Sequence, residues 1–108
     1  MPSTEASVER WRTALEPLLS DPASAAVLSD LDGTLAPIVA RPEHVAVSDR
    51  GRLALARIAT RFGLCAIVTG RRPEVARDLV GIDEITYAGN HGFELLRPGA
   101  ARATPSPA

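Results

Sequence analysis

Two carboxylates stand one residue apart, Asp30 and Asp32, after the apolar residues 25–28 and before Gly33-Thr34-Leu35. Side chains along an extended chain alternate with period two, so the two acids leave a strand on the same side. Carboxylates that close repel one another unless a positive charge lies between them. A hard divalent cation with oxygen ligands, Mg2+ above all, relieves that repulsion and takes phosphate oxygens as further ligands. The spacing therefore points to phosphoryl chemistry, in which a carboxylate nucleophile splits hydrolysis into two displacements and a second carboxyl handles the leaving-group proton.

A second chemical signal follows the apolar residues 64–68, where Thr69-Gly70-Arg71-Arg72-Pro73 runs from a strand end into a helix start. Backbone N–H groups at a helix start, with a hydroxyl beside them, make a seat for phosphate, and Arg71 or Arg72 adds charge. Taken alone, the stretch reads equally well as a plain strand-to-helix turn with solvated arginines. A third polar turn, Asn90-His91-Gly92, lies at the end of an apolar stretch; on its residues alone it is a surface turn carrying a histidine.

The elements that must position these groups follow from periodicity. Val8, Trp11, Leu15, Leu18 and Leu19 recur at helical spacing, predicting an amphipathic helix over 4–20, capped by Ser3 or Thr4 and anchored by Trp11. Residues 25–30 read as a buried strand that delivers the acids to a loop. Residues 36–47, with Pro37 and Pro42, suit an irregular connection or small hairpin, and His44 there is assigned no function. Ser48-Asp49 open a helix to about Phe62, with Leu53, Ala56, Ala59 and Phe62 on one face, and Gly63 stops it. Residues 64–68 lack polar alternation, as a parallel strand covered on both faces requires. Pro73 starts a helix ended by Gly81, and 85–88 and 93–96 read as extended segments.

Asp30-Leu31-Asp32-Gly33-Thr34-Leu35 at the end of a first hydrophobic strand resembles the nucleophile motif of the haloacid dehalogenase-like (HAD) phosphatases. The resemblance implies that Asp30 attacks phosphorus to give an aspartyl-phosphate and that Asp32 acts as general acid and then base. Mg2+ would lie on Asp30 and the backbone carbonyl of Asp32, with Thr69 on the transferring phosphoryl group. Val68-Thr69-Gly70-Arg71 and Ala88-Gly89-Asn90-His91-Gly92-Phe93-Glu94-Leu95 narrow it, being similar to the trehalose-6-phosphate phosphatase family. That likeness implies a sugar-phosphate substrate, with Gly70, Arg71, His91 and Gly92 on the substrate side. Two other readings stay open: a HAD phosphatase for another sugar phosphate, and a non-catalytic module that binds Mg2+ or a phosphorylated ligand.

Strand, helix, strand, helix, strand is the first half of a doubly wound α/β fold, with its site at the carboxyl ends of the strands. The expected organisation is a helix and linker over 1–24, a partial HAD-like core of about three parallel strands over 25–96, and a disordered tail over 97–108. Such phosphatases also need a Lys or Arg that steadies the nucleophile and a later acidic cluster for the metal. All 12 basic side chains here are arginine, and Glu94 is the last acid, after Glu84. Little or no activity is expected of this chain alone, and its first strand is expected to be an open apolar edge that favours self-association.

A chain of 108 residues supports one core, and a net charge of −1 argues against nucleic acid or an anionic membrane as the main partner. No secretory signal or membrane-length apolar run is present, so a cytoplasmic location is expected. Cys65, the lone cysteine, lies within an apolar run and reads as a small core residue.

Overall fold

The computed structural model describes residues 4–37 and 46–107. His44 and most of the expected 36–47 connection lie outside these residues, as does Ser3. The elements are α1 (Thr4–Ser20), β1 (Ala26–Asp30), α2 (Asp49–Arg61), β2 (Leu64–Val68), α3 (Pro73–Val80), β3 (Thr86–Gly89), β4 (Glu94–Leu96) and β5 (Thr104–Pro105). One mixed sheet runs in the order β1-β2-β3-β4-β5. The first three strands are parallel, as the alternation of strand and helix demands, and β4 and β5 add antiparallel ladders at the far edge.

The helix boundaries follow local chemistry. Ser48 caps α2, its hydroxyl oxygen accepting from the Gly51 N–H at 3.0 Å. Pro73 sits in the first turn of α3, and Gly81 ends that helix at φ 78°, the left-handed conformation that glycine takes without strain.

The core gathers residues of α2, β2, α3, β3 and β4 and of the loops that join them, with Leu31, Leu55, Ile67, Ile85, Tyr87 and Leu96 almost wholly enclosed. Cys65 belongs to it, as its apolar neighbours imply. Tyr87 is fully buried, and its hydroxyl donates to the Ile82 carbonyl at 2.5 Å, so its polar end is satisfied inside the core.

Four expectations change. Ala26, Val27 and Leu28 of β1 are apolar, yet none is buried, and Leu28 is 60% exposed. Among the described residues this strand has a strand neighbour on one side only, and the side chains of α1 and α2 beside it, Leu15, Leu18 and Ile58 among them, leave an open groove. Trp11 is 67% exposed, and α1 buries none of its residues, so the tryptophan anchors nothing among the described residues. In α2 the inward side chains are Leu55, Ile58 and, as expected, Ala56 and Ala59, while Leu53 is 62% exposed. The sequence contains two overlapping apolar stripes at helical spacing, and docking on the sheet turns the helix toward the one that carries Leu55 and Ile58. Finally, the segment from Arg97 onward is not an irregular tail: Thr104–Pro105 pairs with β4, and Ser106 N–H donates to the Phe93 carbonyl at 2.8 Å. Arg77 holds the intervening loop through its guanidinium, which donates to the Ala100 carbonyl at 2.5 Å. These long-range partners have no signature in the local Pro/Ala-rich composition.

Candidate active site

Parallel pairing sets Asp30 beside Val68, and Val68 beside Ala88. The three polar loops anticipated from the sequence therefore leave the carboxyl ends of three adjacent strands, where an open α/β sheet presents its ligand crevice.

The first loop turns on one carbonyl. Leu31 is fully buried, and its carbonyl accepts from the N–H groups of Thr34, Leu35 and Ala36 at 3.3, 3.0 and 3.1 Å. Gly33 takes φ 83° at the bend, and its N–H closes the loop on the Ala36 carbonyl at 2.7 Å. Asp30, the last residue of β1, is exposed, and one of its carboxylate oxygens accepts the Leu31 N–H at 2.8 Å. Asp32 projects to the second loop, where Arg71 meets it with two parallel bonds, Nε to Oδ2 at 3.0 Å and Nη2 to Oδ1 at 2.9 Å. The Arg71 hydrogen bond holds the Asp32 carboxyl below the usual carboxylate range, against a smaller opposing effect of burial, and the guanidinium is pushed up in turn.

Thr69 is 5% exposed and lies between the second and third loops. Its hydroxyl oxygen accepts from the Arg71 N–H at 3.1 Å, while its N–H donates to the Ala88 carbonyl at 2.9 Å. The two loops are then stitched together: Asn90 N–H donates to the Arg71 carbonyl at 2.8 Å, and His91 N–H to the Thr69 carbonyl at 3.2 Å. His91 is exposed and lays its ring against Gly70; a Cβ on that glycine would lie 2.7 Å from His91 Cε1. Gly92 takes φ 89°, and its carbonyl accepts from the Ser106 hydroxyl at 2.6 Å.

Of the residues singled out from the sequence, Asp32, Thr69, Gly70, Arg71 and His91 thus form one connected surface. Asp30 is placed next to it by strand register, and Gly92 points its carbonyl to the C-terminal segment. Three residues quoted in the motif but given no role there also shape the site. Gly89 approaches so closely that a Cβ would lie 2.5 Å from Pro73 Cδ and 2.6 Å from the Arg71 carbonyl oxygen. Asn90 donates its side-chain amide to the Glu94 carboxylate. The signal for this pair was weak: an Asn-x-Gly turn, with an acid two residues beyond the glycine.

The oxygen donors suit Mg2+, which takes one or two protein oxygens and fills its remaining positions with water and phosphate. Asp30 has a second carboxylate oxygen beyond the one on Leu31, and Asp32, with its side chain on Arg71, has its backbone carbonyl. Among the described residues no group of three or more His, Cys, Asp or Glu side chains is gathered that could hold a metal ion. Nor, among them, is any helix long and apolar enough to cross a membrane.

The profile of the trehalose-phosphatase family matches residues 28–108. The chain belongs to the trehalose-phosphatase family. It is 40% identical over 80 residues to probable trehalose-phosphate phosphatase G of Arabidopsis thaliana, which covers 74% of this chain and 21% of that protein. With trehalose 6-phosphate phosphatase RA3 of Zea mays it shares 38% identity over 89 residues, 81% of this chain and 24% of the relative. The chain therefore spans about a fifth of the length of the curated relatives it matches. Among solved structures, trehalose-6-phosphate phosphatase of Aspergillus fumigatus superposes with a TM-score of 0.71 at 27% identity, covering 87% of this chain and 35% of that one. The C-terminal domain of the Candida albicans trehalose-6-phosphate phosphatase has the same fold, with a TM-score of 0.74 at 23% identity over 87% of this chain and 33% of that one. The trehalose-phosphatase match begins at Leu28, so all three loops of the site lie inside it.

Proposed function

We propose that this chain is the nucleophile-bearing, N-terminal part of a phosphatase that hydrolyses trehalose 6-phosphate to trehalose and phosphate. The observation that carries the reading is the convergence of Asp30, Asp32, Thr69 and Arg71 at adjacent parallel strand ends, in a chain of the trehalose-phosphatase family. Asp30 forms a bond to phosphorus as the ester bond to the sugar breaks, and the leaving oxygen takes a proton from the Asp32 carboxyl. Water then attacks the aspartyl-phosphate, and Asp32 accepts its proton. Paired with Arg71, Asp32 is the carboxylate, the form that this second step uses; to serve the first step it must leave Arg71 and take up a proton from water. Thr69 and the loop N–H groups seat the phosphoryl oxygens, with Gly70, His91 and Gly92 on the sugar side. Mg2+, held by Asp30 and the Asp32 carbonyl, would neutralise phosphoryl charge.

The same reading gives the 108 residues alone little or no turnover. They contain no lysine, and no acid follows Glu94, so a later metal-binding acidic cluster and a lysine cation are both lacking. It also gives the β1 edge a tendency to self-associate, because among the described residues β1 has a strand neighbour on one side only and Leu28 is exposed there.

The test is Mg2+-dependent phosphate release from trehalose 6-phosphate, beside a panel of other sugar phosphates and an Asp30→Asn control, in this chain and in a longer family member carrying the same motifs. Turnover in the longer protein that is selective for trehalose 6-phosphate and lost in the control supports the assignment. Equal turnover of the whole panel, or turnover surviving Asp30→Asn, overturns it.

A further inference from the structure

Resting on the phosphate seat proposed above, we infer that Glu94 is a positioning residue for that seat, acting through Asn90 to set His91 over Gly70. The backbone at this point is unusual. Asn90 at φ 51°, His91 at φ 57° and Gly92 at φ 89° take the left-handed conformation in succession. For the two residues with a Cβ this conformation is strained, least for asparagine. Something outside the turn must hold it.

Two backbone bonds, Asn90 N–H to the Arg71 carbonyl and His91 N–H to the Thr69 carbonyl, tie the turn to the second loop. Among the described residues two side-chain bonds hold the turn: the Ser106 hydroxyl donates to the Gly92 carbonyl at 2.6 Å, and the Asn90 amide, from the turn itself, donates to Glu94. Glu94 lies on β4, in register with Gly89 on β3, so its carboxylate sits at the base of the turn on a rigid ladder. With Asn90 held there, the left-handed His91 carries its ring across Gly70, in contact that only a glycine permits. Gly70 is the residue between the Thr69 hydroxyl and the Arg71 guanidinium. Glu94 thereby reaches the seat through Asn90 and His91 without touching it. Its carboxylate acts as a hydrogen-bond acceptor, so an amide of the same shape serves equally.

The prediction is read by NMR on the full chain. The His91 ring should shift the Gly70 α-proton resonances, and titration with inorganic phosphate should report the seat. Glu94→Ala is expected to erase the Gly70 ring-current shift and to weaken phosphate binding roughly fivefold, about the effect of one hydrogen bond. Glu94→Gln, which keeps an acceptor oxygen, should restore both. Asn90→Gly leaves β4 untouched and adopts the left-handed conformation freely, so it should lose the ring shift without the risk of misfolding that a strand substitution carries. Loss of melting temperature in Glu94→Ala with the Gly70 shift and phosphate affinity intact would overturn the inference, as would a Glu94→Gln variant that behaves like Glu94→Ala. If wild-type chain shows the ring shift but binds no phosphate, the proposed seat fails while the positioning of His91 by Glu94 is still decided by the shift.

Discussion

Arg71 grips Asp32 with two of its N–H groups, joining the loop after β2 to the loop after β1 across 39 residues of chain. Sequence pattern places each residue at a strand end; only the fold makes them a pair. The fork geometry matches guanidinium to carboxylate, which lysine could not reproduce. The same two donors are what a phosphate dianion would use, so the pair marks where an anion would bind as well as what stands there without one.

Removing the pair should cost little at neutral pH. The Asp32 side chain is 37% exposed, so solvent screening limits the bridge to about 1 kcal/mol or less. Its pH dependence has a definite sign. Because the folded-state pKa of Asp32 lies below its unfolded value, the contribution is fully present above the unfolded carboxylate range and disappears as pH falls through the folded pKa. Urea unfolding of wild type and Asp32→Asn between pH 6 and pH 2 should show a gap that closes on the acid side.

The inward stripe of α2 can be tested with two leucines. Leu55→Ala should destabilise by roughly 2–4 kcal/mol, because the side chain is enclosed. Leu53→Ala should cost roughly 0.5 kcal/mol or less, since that side chain is already in water. Equal losses in chemical unfolding would refute the assigned face.

Gly89→Ala and Gly70→Ala should separate two kinds of crowding. At Gly89 a Cβ meets the Pro73 ring and the Arg71 carbonyl, neither of which can swing away, and a loss of roughly 2 kcal/mol or more is expected. At Gly70 it meets the His91 ring, which can rotate, so stability should hold while the His91 environment changes. Thermal melts and histidine ring NMR resonances would distinguish the two.

At alkaline pH, Tyr87 is the group to follow. Burial pushes its phenol up, so the folded state holds the proton beyond the unfolded pKa. Stability from this source is complete below the ordinary tyrosine range and falls as pH rises above it. Tyr87→Phe should cost roughly 1–2 kcal/mol near neutrality through the orphaned Ile82 carbonyl, and its melting temperature should fall less steeply above pH 10.

The exposed β1 edge yields a prediction about assembly. Leu28→Lys adds a charge to an exposed edge strand without opening a cavity, and should lower self-association in sedimentation while leaving the melting temperature nearly unchanged. An unchanged molecular weight at every concentration, in both proteins, would remove the edge as an association surface.

The sequence by itself determined the site's raw material and the order of its elements. Asp30-x-Asp32 after an apolar strand, Thr69-Gly70-Arg71 after another, and the punctuation by Ser48, Pro73 and Gly81 are local signals, governed by period, capping and permitted backbone angles. Tertiary structure alone decided which partners these groups meet. Arg71 reaching Asp32 depends on parallel register between β1 and β2, and the Asn90 to Glu94 bond depends on the β3–β4 ladder. Thr104–Pro105 becomes a strand because β4 offers it an edge, against its own composition. The exposure of Trp11, Leu28 and Leu53 belongs to the same class: an apolar side chain states that it can be buried, and only the packing of neighbouring elements decides whether anything covers it.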